Sequence, residues 1–355
     1  NQERTKVPKK PLRNNAHPLL DSTYSEAKRT PFHGEETYTD THTVEEELPA
    51  AKQAHSLAAN LIEEISSSLE LNAELNIGAA HDTVDALRES VIRNPDAMLL
   101  LSRLKTTGRI LYDNAVNVSV HLLAFGRHLG LPGEELSKLV LGGLLMDIGK
   151  MRLPSELTEK TNLSSTDRNL MKQHVAYGET IVAESIDIPQ EVLEIVAQHH
   201  EREEGNGYPR GLYANRLNAY ARMAAIIDCY EELIGVRPDF PPVSAFQTFQ
   251  ELKELSRNGL NAMLVEQFAH CIGMFPVGSL VELNTGEVAI VLSHGRTQRL
   301  LPNVMIILDT KKQPYDAPLT LNLRSAAPAS SGIQYSIAHD LPQDAYGIDA
   351  KHYYL

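Results

Sequence analysis

The chain has 355 residues, 42% hydrophobic and 22% charged, enough apolar material for a sizeable core and room for two ordinary domains. Its net charge of -13 excludes nonspecific binding to DNA, RNA or an anionic membrane surface, but not a small anion held by a few local cations. No stretch stays apolar for the ~18 residues of a membrane span, no secretory leader pattern is present, and two cysteines, Cys229 and Cys271, fit a reducing cytoplasm. The chain starts at Asn1 rather than Met, which reads as part of a longer protein.

Residues 1–44 are polar and punctuated by Pro8, Pro11, Pro18 and Pro31, the composition of a flexible linker. Residues 45–93 read as a helical lead-in: Leu57, Ala58, Leu61, Ile62 and Ile65 recur at helical spacing, as do Val84, Leu87, Val91 and Ile92. Pro95 opens the main helical domain, residues 94–275. There Val116, Val120, Leu123 and Leu129 mark one amphipathic helix, closed by Gly130 and Pro132. Leu136, Leu139, Val140, Leu144 and Leu145 mark the next, with Gly149 as its end signal. Leu170, Met171, Tyr177, Gly178, Ile181 and Val182 read as one stripe, and Val192, Leu193, Ile195 and Val196 as a short one. Residues 219–234 are apolar nearly all round, which predicts a central helix.

After Phe275 the period changes to two. Residues 279–283, 287–293 and 303–309 predict three short strands of a small β unit, 276–323. Residues 324–355 read as a second linker and a C-terminal tail that docks back on the body. The predicted fold class is mostly α: a helical bundle with a helical lead-in and a small C-terminal antiparallel β unit.

The informative residues are polar ones inside apolar stripes: Asp147, His174, His199, His200 and Asp228. A buried carboxylate costs several kcal/mol unless it is paired or bound to a metal. Imidazole with carboxylate is a usual ligand set for Mn, Fe, Ni or Zn. Spacing alone leaves both readings open: a converging metal site, or hydrogen-bonded core histidines and helix-ending residues.

The segment His199-His200-Glu201-Arg202-Glu203-Glu204-Gly205-Asn206-Gly207-Tyr208-Pro209 resembles the signature of the HD-GYP family, bacterial phosphodiesterases that hydrolyse cyclic di-GMP. Residues 144–154, 171–178 and 225–238 resemble that family's His-Asp, His-Pro and Asp-x-Tyr-Asp segments, in family order. The resemblance implies an HD-type helical bundle binding two or three divalent transition metals (Fe, Mn, Ni or Zn). It implies Asp147 as bridging ligand, with His174, His199 and His200 on one side of it and Asp228 on the other. It implies Lys150 as a phosphate contact, Arg237 as a phosphate or guanine contact, and Gly205, Gly207, Tyr208 and Pro209 as the loop beside the nucleotide. That loop is also the expected contact for a signalling protein.

Two departures bear on the first metal: Asn114 stands where the family has its first histidine ligand, and Met146 where it has the histidine of the His-Asp pair. An amide oxygen and a thioether are poor ligands for hard Fe or Mn. Ile110 stands where some members have an acidic residue, so a third metal is not expected. His121, two helical turns after Asn114, is about 10 Å too far along to substitute. Cys229 is read as a small core residue. The expectation is a degenerate member with at most one metal per chain, binding cyclic di-GMP or a protein partner with weak or no hydrolysis. The alternatives are an active phosphodiesterase with an unusual metal site and a purely structural interaction domain.

Overall fold

Thr43 starts the first helix with a reciprocal cap: its Oγ1 accepts the Glu46 N–H at 3.2 Å and Glu46 Oε2 accepts the Thr43 N–H at 2.8 Å. The computed structural model describes residues 32–71, 80–104, 109–158, 160, 162–235, 243–295, 300–329, 332–342, 345–348 and 353. His33–Leu355 forms one compact unit. Residues 1–31, most of the expected linker, lie outside the described residues.

Helix α1 (Val44–Glu70) is followed by α2 (Ala80–Arg93), α3 (Pro95–Leu104), α4 (Ile110–His128) and α5 (Gly133–Leu145). The next helices are α6 (Ser165–Met171), α7 (His174–Ala183), α8 (Gln190–Gln198), α9 (Ala219–Ile234), α10 (Ala245–Ser256) and α11 (Ala262–Ile272). The central helix expected from its all-round apolar composition is α9: Met223, Ala224, Ile226, Ile227 and Tyr230 have no exposure. Asn218 caps it by accepting the Tyr220 N–H at 2.7 Å. Helices α4, α8, α10 and α11 pack on α9, and α5 packs on both α4 and α8. Among the described residues no helix is long and apolar enough to cross a membrane.

Three local expectations differ from the structure. Residues 34–41 are pinned to the helices: the Gly34 N–H donates to Leu129 O at 2.9 Å, Tyr38 Oη to Leu131 O at 2.7 Å, and Arg127 pairs with Asp40 at 2.6 Å. The stripe read across 170–182 is two helices, because the chain breaks at Lys172 and Gln173. No residue of α6 is buried, whereas α7 buries His174, Val175, Gly178, Ile181 and Val182. Gly149 does not end α5, which stops at Leu145; its role is a close contact described below.

The β unit is an antiparallel sheet of five strands, ordered β4-β3-β2-β1-β5. Its strands are β1 (Leu280–Leu283), β2 (Val288–Ser293), β3 (Asn303–Leu308), β4 (Pro314–Asn322) and β5 (Ile337–Asp340). Register follows Leu280↔Ile290 and Ile290↔Met305. Three strands were predicted. β4 escaped because it is an exposed edge strand with prolines and no inward-outward alternation, and β5 because it has four residues. One face buries Val281, Leu283, Ala289, Val291, Val304 and Ile306. The other buries Leu280, Val288, Ile290, Ile307 and Leu308 under Ala345, Ile348 and Tyr353, so the tail does dock.

Candidate metal centre

Helix α5 delivers Asp147 to the interior. Met146, just past its last turn, is 1% exposed, and the chain then enters a 3-10 turn, Ile148–Arg152. That turn lies against the start of α7 because residue 149 is glycine: a Cβ there would stand 1.9 Å from His174 O. This close approach sets Asp147 beside His174. Helix α8 ends at Gln198 and places His199 and His200 across from both.

Hydrogen bonds to the backbone fix the imidazoles. His174 Nδ1 lies 2.7 Å from Met171 O, and His199 Nδ1 lies 2.9 Å from Val196 O. A carbonyl oxygen can only accept, so each Nδ1 carries the proton and each Nε2 of a neutral ring presents a lone pair. The two Nε2 atoms are 3.3 Å apart, and they lie 3.4 Å and 3.8 Å from Asp147 Oδ1. That oxygen is buried and has no hydrogen-bond partner. Burial lowers both histidines, His199 to about 3, so both are neutral near pH 7. Three electron-rich atoms therefore face one another without a proton among them, which is unfavourable unless a cation sits between. The residues fit a divalent metal. With His200, the four side chains offer ligand atoms all within 4.8 Å of one another.

His200 also faces Asp228: its Nδ1 is 3.4 Å from Asp228 Oδ2, and its ring stacks on Tyr208 at 4.5 Å between centroids. Burial, then the charge of Asp147, pushes the Asp228 carboxyl up to about 7. Asp228 thus lies at the far side of His200, outside the four-residue group.

An HD domain family model matches residues 98–261. A cyclic di-GMP phosphodiesterase of Pseudomonas aeruginosa is 30% identical over 272 residues, covering 76% of this chain and 65% of that protein. A cyclic di-GMP phosphodiesterase of Thermotoga maritima is 30% identical over 142 residues, covering 39% of each. A solved HDG"Y"P protein from Bdellovibrio bacteriovorus has the same fold, with a TM-score of 0.54 at 21% identity, covering 69% of this chain and 77% of that one. Together these matches support reading the chain as an HD-GYP family member. It spans less than two thirds of the length of either phosphodiesterase.

On the side facing Asn114, Asp147 meets hydrogen-bond donors rather than lone pairs. Asn114 Nδ2 donates to Asp147 Oδ2 at 3.2 Å, and Lys150 Nζ donates to the same oxygen at 2.7 Å. Met146 is packed as a core residue. Ile110 is 80% exposed at the start of α4. His121 is buried away from the centre, with Nδ1 2.7 Å from Glu231 Oε1 and 2.9 Å from Asn117 O. It lines a cavity of about 30 Å³ with Asn117, Tyr230 and Glu231. Cys229 is a buried core residue touched by Arg202 at 3.4 Å. Arg237 lies outside the described residues.

The HD-GYP loop is organised by a residue the sequence reading did not single out. Glu201, 2% exposed, accepts the N–H of Arg210 at 2.7 Å and of Leu212 at 2.9 Å. Tyr208 donates its N–H to His200 O at 3.2 Å, and the Tyr208–Pro209 bond is cis. A Cβ at Gly207 would stand 2.5 Å from Glu201 Cα and Arg202 N, so the loop folds back only with glycine there. Gly205 has φ +74°. Lys172 Nζ lies 5.0 Å from the Tyr208 ring centroid. The signal for Glu201 was its position: a carboxylate entering a glycine-rich turn whose backbone donors need an acceptor. Glu201→Ala leaves the buried Leu212 N–H unpaired and takes the acceptor from the part-buried Arg210 N–H, at a cost on the order of 2 kcal/mol. A clear drop in melting temperature is expected, and an unchanged one contradicts this assignment.

The metal-free protein should lose stability in acid. His174, His199 and His200 are all lowered in the fold, chiefly by burial. Their unfolded value is ~6.5, so below it the unfolded chain binds protons that the folded chain does not, and stability falls. Asp228 has the opposite sign, gaining stability as pH falls through about 7, but it is one group against three. Denaturant midpoints of chelator-treated protein are expected to fall between pH ~7 and ~5; a rise would contradict the neutral histidines.

Proposed function

We propose that this chain is a cyclic di-GMP signalling module whose centre holds one divalent transition metal through Asp147, His174 and His199, with His200 beside it. It binds the nucleotide with weak or no hydrolysis. The observation that carries this reading is the set of three proton-free acceptor atoms facing one another at 3.3–3.8 Å, next to a half-site lined by hydrogen-bond donors. The names of the relatives, cyclic di-GMP phosphodiesterases, support the ligand class. When bound, a divalent metal polarises a phosphoryl oxygen and lowers the pKa of a water. One such ion, without a second, gives up several kcal/mol of transition-state stabilisation, which favours binding over turnover.

The chain's own residues supply recognition. Lys150 and Arg237 are the cations proposed for the two phosphates, since a chain of net charge -13 needs local positive groups to hold them. The ammonium of Lys150 has three donors, one of them used on Asp147. Tyr208, stacked on His200, and the loop through Gly205, Gly207 and Pro209 form the wall beside the nucleotide and the surface for a protein partner. Calorimetry of the metal-loaded chain with cyclic di-GMP, run beside a chromatographic assay for pGpG, tests this. Saturable binding, weakened at least about tenfold in Lys150→Ala with Arg237→Ala, and little pGpG are expected. Absence of binding would overturn the reading. Sustained turnover would favour the active phosphodiesterase with an unusual metal site.

A further inference from the structure

We infer that the turn between α10 and α11 holds the glycine-rich loop in place, and that Asn261 is the positioning residue, acting through Glu203 on the loop that carries Tyr208. Its effect on nucleotide binding rests on the cyclic di-GMP reading above. Asn261 and Glu203 are 58 positions apart in sequence, yet Asn261 Nδ2 donates to Glu203 Oε1 at 2.8 Å. The Glu203 N–H donates to Gly259 O at 2.7 Å, and Asn206 Nδ2 reaches Asn258 O at 3.4 Å. Gly259 has φ +108°, and a Cβ there would stand 2.8 Å from Arg202 Cβ, so the two segments meet only with glycine at that position.

Asn261 uses both ends of one amide. Its Oδ1 accepts the Leu264 N–H at 2.9 Å and caps α11. A backbone N–H can only donate, so the atom facing it is the oxygen, and the amide NH₂ is left to face a carboxylate, which can only accept. The turn is itself anchored in the core, since Leu252, Leu260 and Leu264 are buried. Glu203 is the joint. It takes one backbone and one side-chain bond from the α10–α11 turn, Arg222 Nε of α9 lies 3.4 Å from its Oε1, and its carbonyl accepts the Ala214 N–H at 3.0 Å on the far side of the loop. Releasing the side-chain bond lets residues 202–206 open locally, and with them the segment that runs into Tyr208.

Hydrogen exchange and calorimetry on the full chain test this. Asn261→Ser keeps a cap for α11 but is too short to reach Glu203. Asn261→Asp also caps, but sets a second carboxylate against Glu203. In both, amide exchange across residues 202–212 is expected to speed up at least about fivefold while the amides of α9 keep the parent's rates. Affinity for cyclic di-GMP is expected to fall at least about threefold. The rescue is Asn261→Asp with Glu203→Gln, in which donor and acceptor trade places; loop exchange and affinity should return to within about twofold of the parent. The serine variant covers the case in which the aspartate variant does not fold. Loop exchange at the parent's rate in a folded single variant overturns the inference, as does faster exchange throughout the chain, which would make Asn261 a helix cap and nothing more. A double variant no better than Asn261→Asp overturns it too, and so does a loosened loop that binds cyclic di-GMP as tightly as the parent. A parent that does not bind cyclic di-GMP overturns the nucleotide reading, and loop exchange with its rescue then decides the brace by itself.

Discussion

Replacing His199 by alanine is expected to weaken metal binding at least about 100-fold, a loss of ~2.7 kcal/mol. His199 Nε2 is one of three atoms around the central point, and its Nδ1–H is already committed to the backbone, so no other orientation of the ring serves. His174→Ala should do the same, since its Nε2 is 3.4 Å from Asp147 Oδ1 and its Nδ1 is committed to Met171 O. The control is His121→Ala. That residue is as buried as Asp147 but is paired with Glu231 away from the centre, so it should lower stability and leave metal affinity unchanged. Metal titrations of the three variants decide this. Equal affinity in His199→Ala and the parent would remove the α7–α8 pair from the centre.

The second large effect is a gain. Asn114→His with Met146→His is expected to add a metal and to raise hydrolysis of cyclic di-GMP at least about tenfold, ~1.4 kcal/mol of barrier. Position 114 is close enough for this, because its present side chain already touches Asp147 Oδ2 at 3.2 Å. Met146 is 1% exposed and adjoins Asp147 in sequence. Two imidazoles together can draw Asp147 Oδ2 away from Lys150, whereas one leaves a weak three-ligand site. Each single change is therefore expected to do little. A double variant that takes up metal and stays inactive would place the block elsewhere, at Ile110 or Glu204. A parent already as fast as the double variant would mean that turnover does not need the first site.

What could be read in advance follows from how local the causes are. The central helix α9 was legible because all-round apolar composition over 219–234 has one main physical outcome. Asp147, His174, His199 and His200 stood out as polar residues in apolar stripes, and the structure brings these four together. The break between α6 and α7 was not legible: Leu170 and Met171 continue the helical period, but neither is buried. Residues 34–41 are held by backbone hydrogen bonds from Gly34 and Glu36 to the α4–α5 turn and by isolated side-chain ties at Tyr38 and Asp40, which together leave no apolar period. The tie between Lys150 and Asp147 Oδ2 needed coordinates, because a lysine three residues after a carboxylate in a turn can as easily face solvent.

The central claim is one metal per chain, and elemental analysis of protein purified without added metal tests it most directly. The account predicts a single transition metal per chain, lost in His174→Ala and His199→Ala. Two metals per chain at full occupancy would contradict it.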